Sequence, residues 1–120
     1  EFKQVLLNII NNEKNKIIEK NLPINKKGSI DINIKRCEES NMIEIIDDAG
    51  AIDEKIINSI FEPYFTTKED GMGLGLYMAK IIIEDKMKGT INVRNYKNCV
   101  IFTINLPFKR IKNENFTFRR

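Results

Sequence analysis

The sequence predicts an α+β fold, a two-layer α/β sandwich with helices on one face of a mixed, mostly antiparallel sheet. Three observations favour it. Apolar residues recur at helical spacing in two long stretches, and two pairs of shorter stretches alternate apolar with polar residues, as strands do. The order along the chain is helix, two strands, short helix, helix, two strands, which is typical of helices gathered on one side of a sheet.

Composition restricts the class of protein before any motif is considered. A chain of 120 residues with 42% hydrophobic and 31% charged residues suits one globular domain with a single core. Its net charge of +3 is too small to indicate nucleic-acid binding. No apolar run approaches the roughly 18–20 residues of a membrane span, and no signal-peptide pattern is visible. We therefore expect a cytoplasmic domain whose two cysteines are reduced.

The first helix is predicted from residue 2 onward without an N-cap, so we expect the chain to be part of something longer. Its apolar residues follow helical spacing: Phe2, Val5, Leu6, Ile9, Ile10 and Ile17. Asn8, Asn12 and Asn15 fall on one stripe beside this apolar face. Their amides either point to solvent or hold phosphate oxygens and a hydrated Mg²⁺, which accepts oxygen ligands. Glu13 lies within the apolar arc, and the pattern offers no account of it.

Two strands joined by a polar hairpin turn follow, at residues 29–36 and 42–47. Alternation in the second strand places Ile43, Ile45 and Asp47 on one face, and Glu44 marks the opposite face as the wetter one. Asp47 should therefore point inward at the end of the strand, where a carboxylate needs a hydrogen-bond donor. It either caps the turn over residues 49–51 or accepts a hydrogen bond from an amino group of a ligand.

The middle of the chain contains a glycine pattern that suits phosphate. A short helix over residues 53–60, with Asp53 as its N-cap, an aromatic run at 61–65 and a polar candidate lid at 66–70 lead to it. The glycines occupy alternate positions, 71, 73 and 75, and an apolar helix over residues 74–86 begins among them. Glycine lets a ligand approach the main chain, and a helix N-terminus offers unpaired N–H groups. On the glycines alone, a tight turn remains the alternative.

The last part of the domain is predicted as a second hairpin, with strands at residues 90–96 and 99–106. Residues 109–120 are polar and basic, so we expect a poorly ordered tail there. The predicted organisation is a single domain over residues 1–108 followed by this tail.

Four segments, taken in order, resemble the motifs of a known family. Residues 4–12 (QVLLNIINN) resemble the N box, residues 47–52 (DDAGAI) the G1 box, residues 61–68 (FEPYFTTK) the F box and residues 71–80 (GMGLGLYMAK) the G2 box. Together they resemble the ATP-binding catalytic domain (HATPase_c) of bacterial sensor histidine kinases. This superfamily also includes DNA gyrase B, Hsp90 and MutL. The resemblance implies the Bergerat ATP-binding fold.

The resemblance also implies a function in two-component signal transduction. Such a domain binds ATP with Mg²⁺ and donates the γ-phosphate to a histidine on a separate dimerisation domain, and a response regulator is an indirect partner. The chain contains no histidine, so the acceptor cannot lie within it. We expect the isolated domain to be a monomer, the parent kinase to be a homodimer and the domain to be the cytoplasmic part of a sensor that is membrane-anchored or not.

Site residues follow from the same resemblance. Asn12 would coordinate the Mg²⁺, Asn8 would support it one turn earlier, and Asp47 would accept the adenine amino group. The other expected ATP-binding residues are Gly50, Ala51, Ile52, Asn15, Lys16, Phe61, Thr67, Lys68, Gly71, Gly73, Leu74, Gly75 and Leu76.

Some residues depart from the family pattern. Glu13 stands where the family has Ala, Asn15 where Lys or Arg often occurs, Ala51 at the last G1 glycine and Met72 at a usual Thr, and the lid is short. These changes could weaken nucleotide binding, which leaves a degenerate docking domain as one alternative. The other alternative is an ATP-driven clamp of the gyrase and Hsp90 kind. Those relatives have a glutamate where Asn8 stands, and an amide cannot accept a proton from water.

Overall fold

The computed structural model describes residues 2–20, 28–65, 73–108, 111–113 and 116–118, and the side chains of residues 2–15, 28–65 and 73–108. The first helix is α1 (Phe2–Lys20), and the strands β1 (Ile30–Arg36) and β2 (Ser40–Asp47) follow it. A 3₁₀ helix (Ile57–Ser59) precedes α2 (Gly75–Ile81), which continues as one π-helical segment (Ile82–Lys86). The strands β3 (Thr90–Tyr96), β4 (Cys99–Pro107), β5 (Ile111–Asn113) and β6 (Phe116–Phe118) complete the described elements.

The main sheet has four strands in the order β1-β2-β4-β3, and every neighbouring pair is antiparallel. The two predicted hairpins are therefore joined side by side through β2 and β4, at the centre of the sheet. The helices α1 and α2 pack against each other and cover one face. This arrangement confirms the predicted α+β sandwich. No helix in the described part of the chain is long and apolar enough to span a membrane.

The core lies between the helices and the inner face of the two central strands. Alternate residues of β2 are buried from Ile43 to Asp47, as the strand parity predicted. Phe102 of β4 is fully buried at the centre, against Val5 and Ile9 from α1. Burying such large apolar side chains stabilises the fold by about 1.5–3 kcal/mol each. The strand edge at β1 is less covered, because Ile34 there is 72% exposed.

The prediction of a short helix over residues 53–60 is wrong in its length. Only Ile57–Ser59 is helical, and it is a 3₁₀ helix preceded by a turn. The Asp53 side chain does bind the beginning of the turn as predicted, since Oδ1 accepts the Lys55 N–H at 2.9 Å. Ile56 and Ile57 are β-branched and Asn58 favours turns, so the segment has little intrinsic tendency to continue as an α-helix.

The second long helix ends where the sequence predicted, although its last turn is wider than an α-helix. The Met87 N–H donates to the Ile82 carbonyl at 2.9 Å, five residues back. Gly89 then passes directly against β4. A Cβ at this position would meet the Asn105 carbonyl oxygen and would lie 3.0 Å from Leu106. The glycine is therefore required by close packing between the helix end and the sheet.

The C-terminal residues beyond the sheet form a separate two-stranded antiparallel pair, in which Ile111 pairs with Phe118. The expectation of a poorly ordered tail over residues 109–120 is not tested by this pairing and stays a prediction. The division of the chain at residue 108 likewise stays a prediction.

Candidate functional site

Asp47 occupies the inner face of the sheet at the end of β2 and is 0% exposed. Its Oδ1 accepts a hydrogen bond from the Ala49 N–H at 3.0 Å. This is the turn-capping bond, one of the two roles that the sequence left open for Asp47. Burial raises the pKa of this carboxyl to about 6, opposed by the Ala49 hydrogen bond and reinforced by the neighbouring Asp48 charge. A buried carboxyl with a raised pKa is typical of a functional site. Adenine recognition by Asp47 remains a prediction.

Asp48 points to the other side and has a structural role. Its Oδ1 accepts the Ser29 N–H at 2.6 Å and its Oδ2 accepts the Ser29 hydroxyl at 3.0 Å. The Asp48 N–H in turn donates to the Ser29 carbonyl at 3.3 Å. These bonds join the beginning of β1 to the end of β2 and so fix the direction in which the chain leaves β2.

Asn8 connects the N box to the G2 box. Its Oδ1 accepts a hydrogen bond from Gln4 Nε2 at 2.8 Å, and its Nδ2 donates to the Gly75 carbonyl at 3.1 Å. The amide therefore ties α1 to the first residue of α2, 67 positions further along the chain. The role that the resemblance implied for Asn8, which is to support the Mg²⁺ site, stays a prediction.

Asn12 lies one turn further along α1, beside a buried carboxylate. Its Nδ2 donates to Glu13 Oε1 at 3.3 Å, and Glu13 is only 1% exposed. Because the amide nitrogen faces Glu13, the amide oxygen of Asn12 is directed elsewhere, and such oxygens are ligands that Mg²⁺ accepts. In the described residues no group of three acidic, Cys or His side chains could hold a metal. Asn15 is exposed, and the Lys16 side chain lies outside the described residues.

The chain after Asp47, here called the G1 loop (residues 48–52), ends at a side chain from β3. The Ile52 N–H donates to Asn95 Oδ1 at 2.9 Å, and Asn95 Nδ2 donates back to the Ile52 carbonyl at 2.7 Å. Within the loop, Gly50 has φ of 114° and Ala51 is exposed. Asn95 was not predicted from the sequence. Its position on the same strand face as Ile91 and Val93 was the available signal, because a polar residue among inward-facing apolar ones needs a partner.

The F box and the G2 box meet through their main chains. The Tyr64 N–H donates to the Gly73 carbonyl at 2.9 Å, and both residues have positive φ, 66° and 70°. A Cβ on Gly73 would lie 2.6 Å from the Phe65 nitrogen, so only glycine fits. The expected lid at 66–70 and the predicted contacts Thr67, Lys68 and Gly71 lie outside the described residues, as does Met72.

The remaining predicted residues contribute chiefly to packing. The Phe61 ring meets the buried Phe102 ring edge-on, with centroids 6.1 Å apart, and Lys80 Nζ lies 5.2 Å from the Phe61 centroid. Leu76 packs against the core, and Leu74 is the N-cap residue of α2. Direct ATP contacts of these residues stay predictions.

The site therefore brings together segments that are distant in sequence: the N box with G2, and the F box with G2. A comparison with models of protein families matches residues 1–110 to the histidine kinase-, DNA gyrase B- and HSP90-like ATPase family, HATPase_c. The chain belongs to this family. The relationship inferred from the four motifs is thus confirmed.

Relatives of this HATPase_c chain include a sporulation kinase and sensor histidine kinases. It is 36% identical to sporulation kinase A of Bacillus subtilis over 110 residues, which cover 91% of this chain and 17% of that protein. It is 37% identical to the sensor histidine kinase ZraS of Salmonella typhimurium, covering 87% of this chain and 21% of ZraS. The chain thus spans about a fifth of the length of these curated relatives.

Solved structures agree with the sequence relatives. The catalytic domain of histidine kinase ThkA superposes with a TM-score of 0.71 at 32% identity, covering 88% of the HATPase_c chain and 65% of that domain. ThkA in complex with the response regulator TrrA gives a TM-score of 0.67 at 30% identity, covering 89% of this chain and 28% of the ThkA chain.

Proposed function

We propose that this domain binds ATP with Mg²⁺ and presents the γ-phosphate to a histidine on a separate dimerisation domain. The observation that carries the proposal is the buried carboxylate of Asp47, held at the end of β2 by the Ala49 N–H. A buried acceptor of this kind matches the exocyclic amino group of adenine, which has hydrogens to donate. Burial raises the pKa of Asp47, because the charged form is disfavoured away from water, and a bound donor would offset that cost.

The other residues fit a nucleotide on the same side of the sheet. Asn8 holds Gly75 at the beginning of α2, and Asn12 directs an amide oxygen away from Glu13. The main-chain N–H groups around Leu74 and Leu76 would bind phosphate oxygens, and Asn12 would hold the metal. When bound, MgATP supplies the transferable phosphoryl group and the cation that neutralises its charge, so the domain itself has mainly to position them.

The partner of the proposed reaction is a histidine-bearing dimerisation domain, because this chain has no histidine. Its relatives are sensor kinases, and the related ThkA has been solved in complex with a response regulator. We place this domain in the cytoplasm, in a two-component system whose response regulator receives the phosphoryl group after the histidine.

An ATP-driven clamp is disfavoured by Asn8. In this structure its amide accepts from Gln4 and donates to Gly75, and an amide cannot deprotonate the attacking water. A degenerate domain would instead bind no nucleotide at all, so a titration distinguishes it from both enzymes.

Titration calorimetry tests the proposal through two substitutions. Asp47→Asn should weaken ATP and ADP alike by roughly ten- to hundredfold, because both share the adenine. Asn12→Ala should remove mainly the part of the affinity that depends on Mg²⁺, measured as the ratio of Kd values with Mg²⁺ and with EDTA. Asp48→Asn and Asn11→Ala are the matched controls, since both residues are exposed neighbours. Loss of adenine binding in Asp48→Asn but not in Asp47→Asn would contradict the proposed site.

A further inference from the structure

The G1 loop is held at both ends by side chains from one cross-strand row of the sheet. The register pairs Asp47 of β2 with Val100 of β4, and Val100 with Asn95 of β3. Directly paired residues lie on the same face of a sheet, so Asp47 and Asn95 both face the helix layer, about 10 Å apart across two strand spacings. The loop thus leaves the sheet at Asp47 on β2 and is bound again at Ile52 by Asn95 of β3.

The fastening at Asn95 uses an amide in a way that no other side chain of similar size reproduces. Oδ1 accepts the Ile52 N–H at 2.9 Å, while Nδ2 donates to the Ile52 carbonyl at 2.7 Å and to Glu54 Oε1 at 2.8 Å. The side chain at this position must accept one hydrogen bond and donate two. A carboxylate can accept the bond but has no hydrogen to donate. Ile52 itself packs against the hydrophobic core, so the bonds hold a partly buried segment in one register.

We propose that Asn95 is a positioning residue for nucleotide recognition. It holds the G1 loop in the conformation in which Asp47 and the loop main chain can form hydrogen bonds with adenine. This inference rests on the proposed function, because it assigns to Asn95 the support of the same pocket. Asn95 is two strands away from Asp47 and acts through Ile52, so its effect should fall on the adenine part of the affinity. The Mg²⁺-dependent part, which is set on α1, should not change.

The test compares Asn95→Asp with Asn92→Asp, the same change on the exposed residue of the opposite face of β3. Asn95→Asp retains an acceptor for the Ile52 N–H, loses both donors and places a carboxylate against Glu54. We expect ATP and ADP affinities to fall by about tenfold in Asn95→Asp, the order of one unsatisfied buried hydrogen bond, with no change in Asn92→Asp. The ratio of ATP affinities with Mg²⁺ and with EDTA should stay at the wild-type value.

A complementary change separates positioning from general stability. Glu54→Gln in the Asn95→Asp background supplies a donor to the new carboxylate and should recover part of the lost affinity, whereas Glu54→Gln alone should be nearly neutral. Hydrogen exchange of the Ile52 amide, measured without nucleotide, should be slow in the wild type and in Asn92→Asp and fast in Asn95→Asp.

The outcomes are distinct. If the wild type binds ATP and folded Asn95→Asp binds it equally well, the positioning role is overturned while the proposed function stands. If wild-type exchange at Ile52 is fast, the fastening itself is overturned. If the wild type binds no nucleotide, the proposed function fails, and the role of Asn95 in nucleotide recognition fails with it.

Discussion

Among single residues, Asp47 shows how a proposed binding group can weaken the free domain. Its pKa is about 6 in the fold, against 3.8 for an ordinary aspartate, because burial disfavours the charged form. The folded domain therefore favours the protonated form of Asp47 over the charged form. The contribution of this group to the free energy of unfolding is greatest below pH 3.8 and is lost as the pH rises through about 6.

Asp47→Asn should consequently stabilise the nucleotide-free domain at pH 7, by roughly 1–3 kcal/mol. The amide keeps an oxygen for the Ala49 N–H and removes the buried charge. Urea denaturation at pH 7 and pH 4.5 measures the effect, and the difference from wild type should be smaller at pH 4.5. The exposed Asp48→Asn, which retains an acceptor for the Ser29 N–H, should show a much smaller gain, because its charge is the smallest cause of the raised pKa of Asp47. If Asp47→Asn were no more stable than wild type at pH 7, burial of the Asp47 charge would not destabilise the domain as argued.

The sequence predicted single residues well where a periodic pattern decides their direction. Strand alternation placed Asp47 inward, and its complete burial confirms this. Glu13 was recognised as lying in the apolar arc of α1, and it is buried there beside Asn12. The partners of Asn95 could not be assigned, because Ile52 and Glu54 are more than 40 positions away and the contacts depend on the strand order.

At the scale of elements, the main-sheet strands and the two long helices could be predicted from apolar periodicity. The 3₁₀ helix and the π-helical end of α2 could not, since the hydrogen bonds that define them depend on how the ends pack. Gly89 illustrates the point, because the reason for a glycine there is the room it makes for the Asn105 carbonyl of β4. The strand order likewise emerges only from tertiary packing.

The junction between the F box and the G2 box provides a test at this scale. Gly73→Ala should destabilise the domain by about 2 kcal/mol or more, because φ is 70° and the new Cβ would lie 2.6 Å from the Phe65 nitrogen and 2.5 Å from the Phe65 carbonyl oxygen. Gly75→Ala is the matched control. Its Cβ would lie 4.0 Å from the Asn8 Cβ, an ordinary contact, and alanine favours the helix that begins there.

Urea denaturation of both variants measures the difference. We expect Gly75→Ala to be neutral or slightly stabilising. Equal stability of Gly73→Ala and wild type would show that the main chains of the two boxes are not held together as described.

At the scale of the whole molecule, side-chain and main-chain bonds join segments that the sequence separates. Asn8 reaches Gly75, Asn95 reaches Ile52, and Ser29 reaches Asp48. These bonds bring the residues of the proposed nucleotide site together on the helix-covered side of the sheet. Nothing in this chain can accept the phosphoryl group as a phosphohistidine, because it contains no histidine.

The isolated chain should therefore bind ATP without labelling itself and without appreciable hydrolysis. Hydrolysis needs an aligned water and a base, and Asn8 offers an amide where a carboxylate would be required. The absence of a general base lowers the rate by on the order of 10²–10⁴.

The measurement is incubation with γ-labelled ATP, first of the domain alone and then with the histidine-bearing dimerisation domain of the parent kinase. Transfer should appear only with that partner, as an acid-labile product, and slowly, because no covalent tether raises the effective concentration of the histidine. Substantial phosphate release by the domain alone would favour the clamp-type ATPase over the kinase.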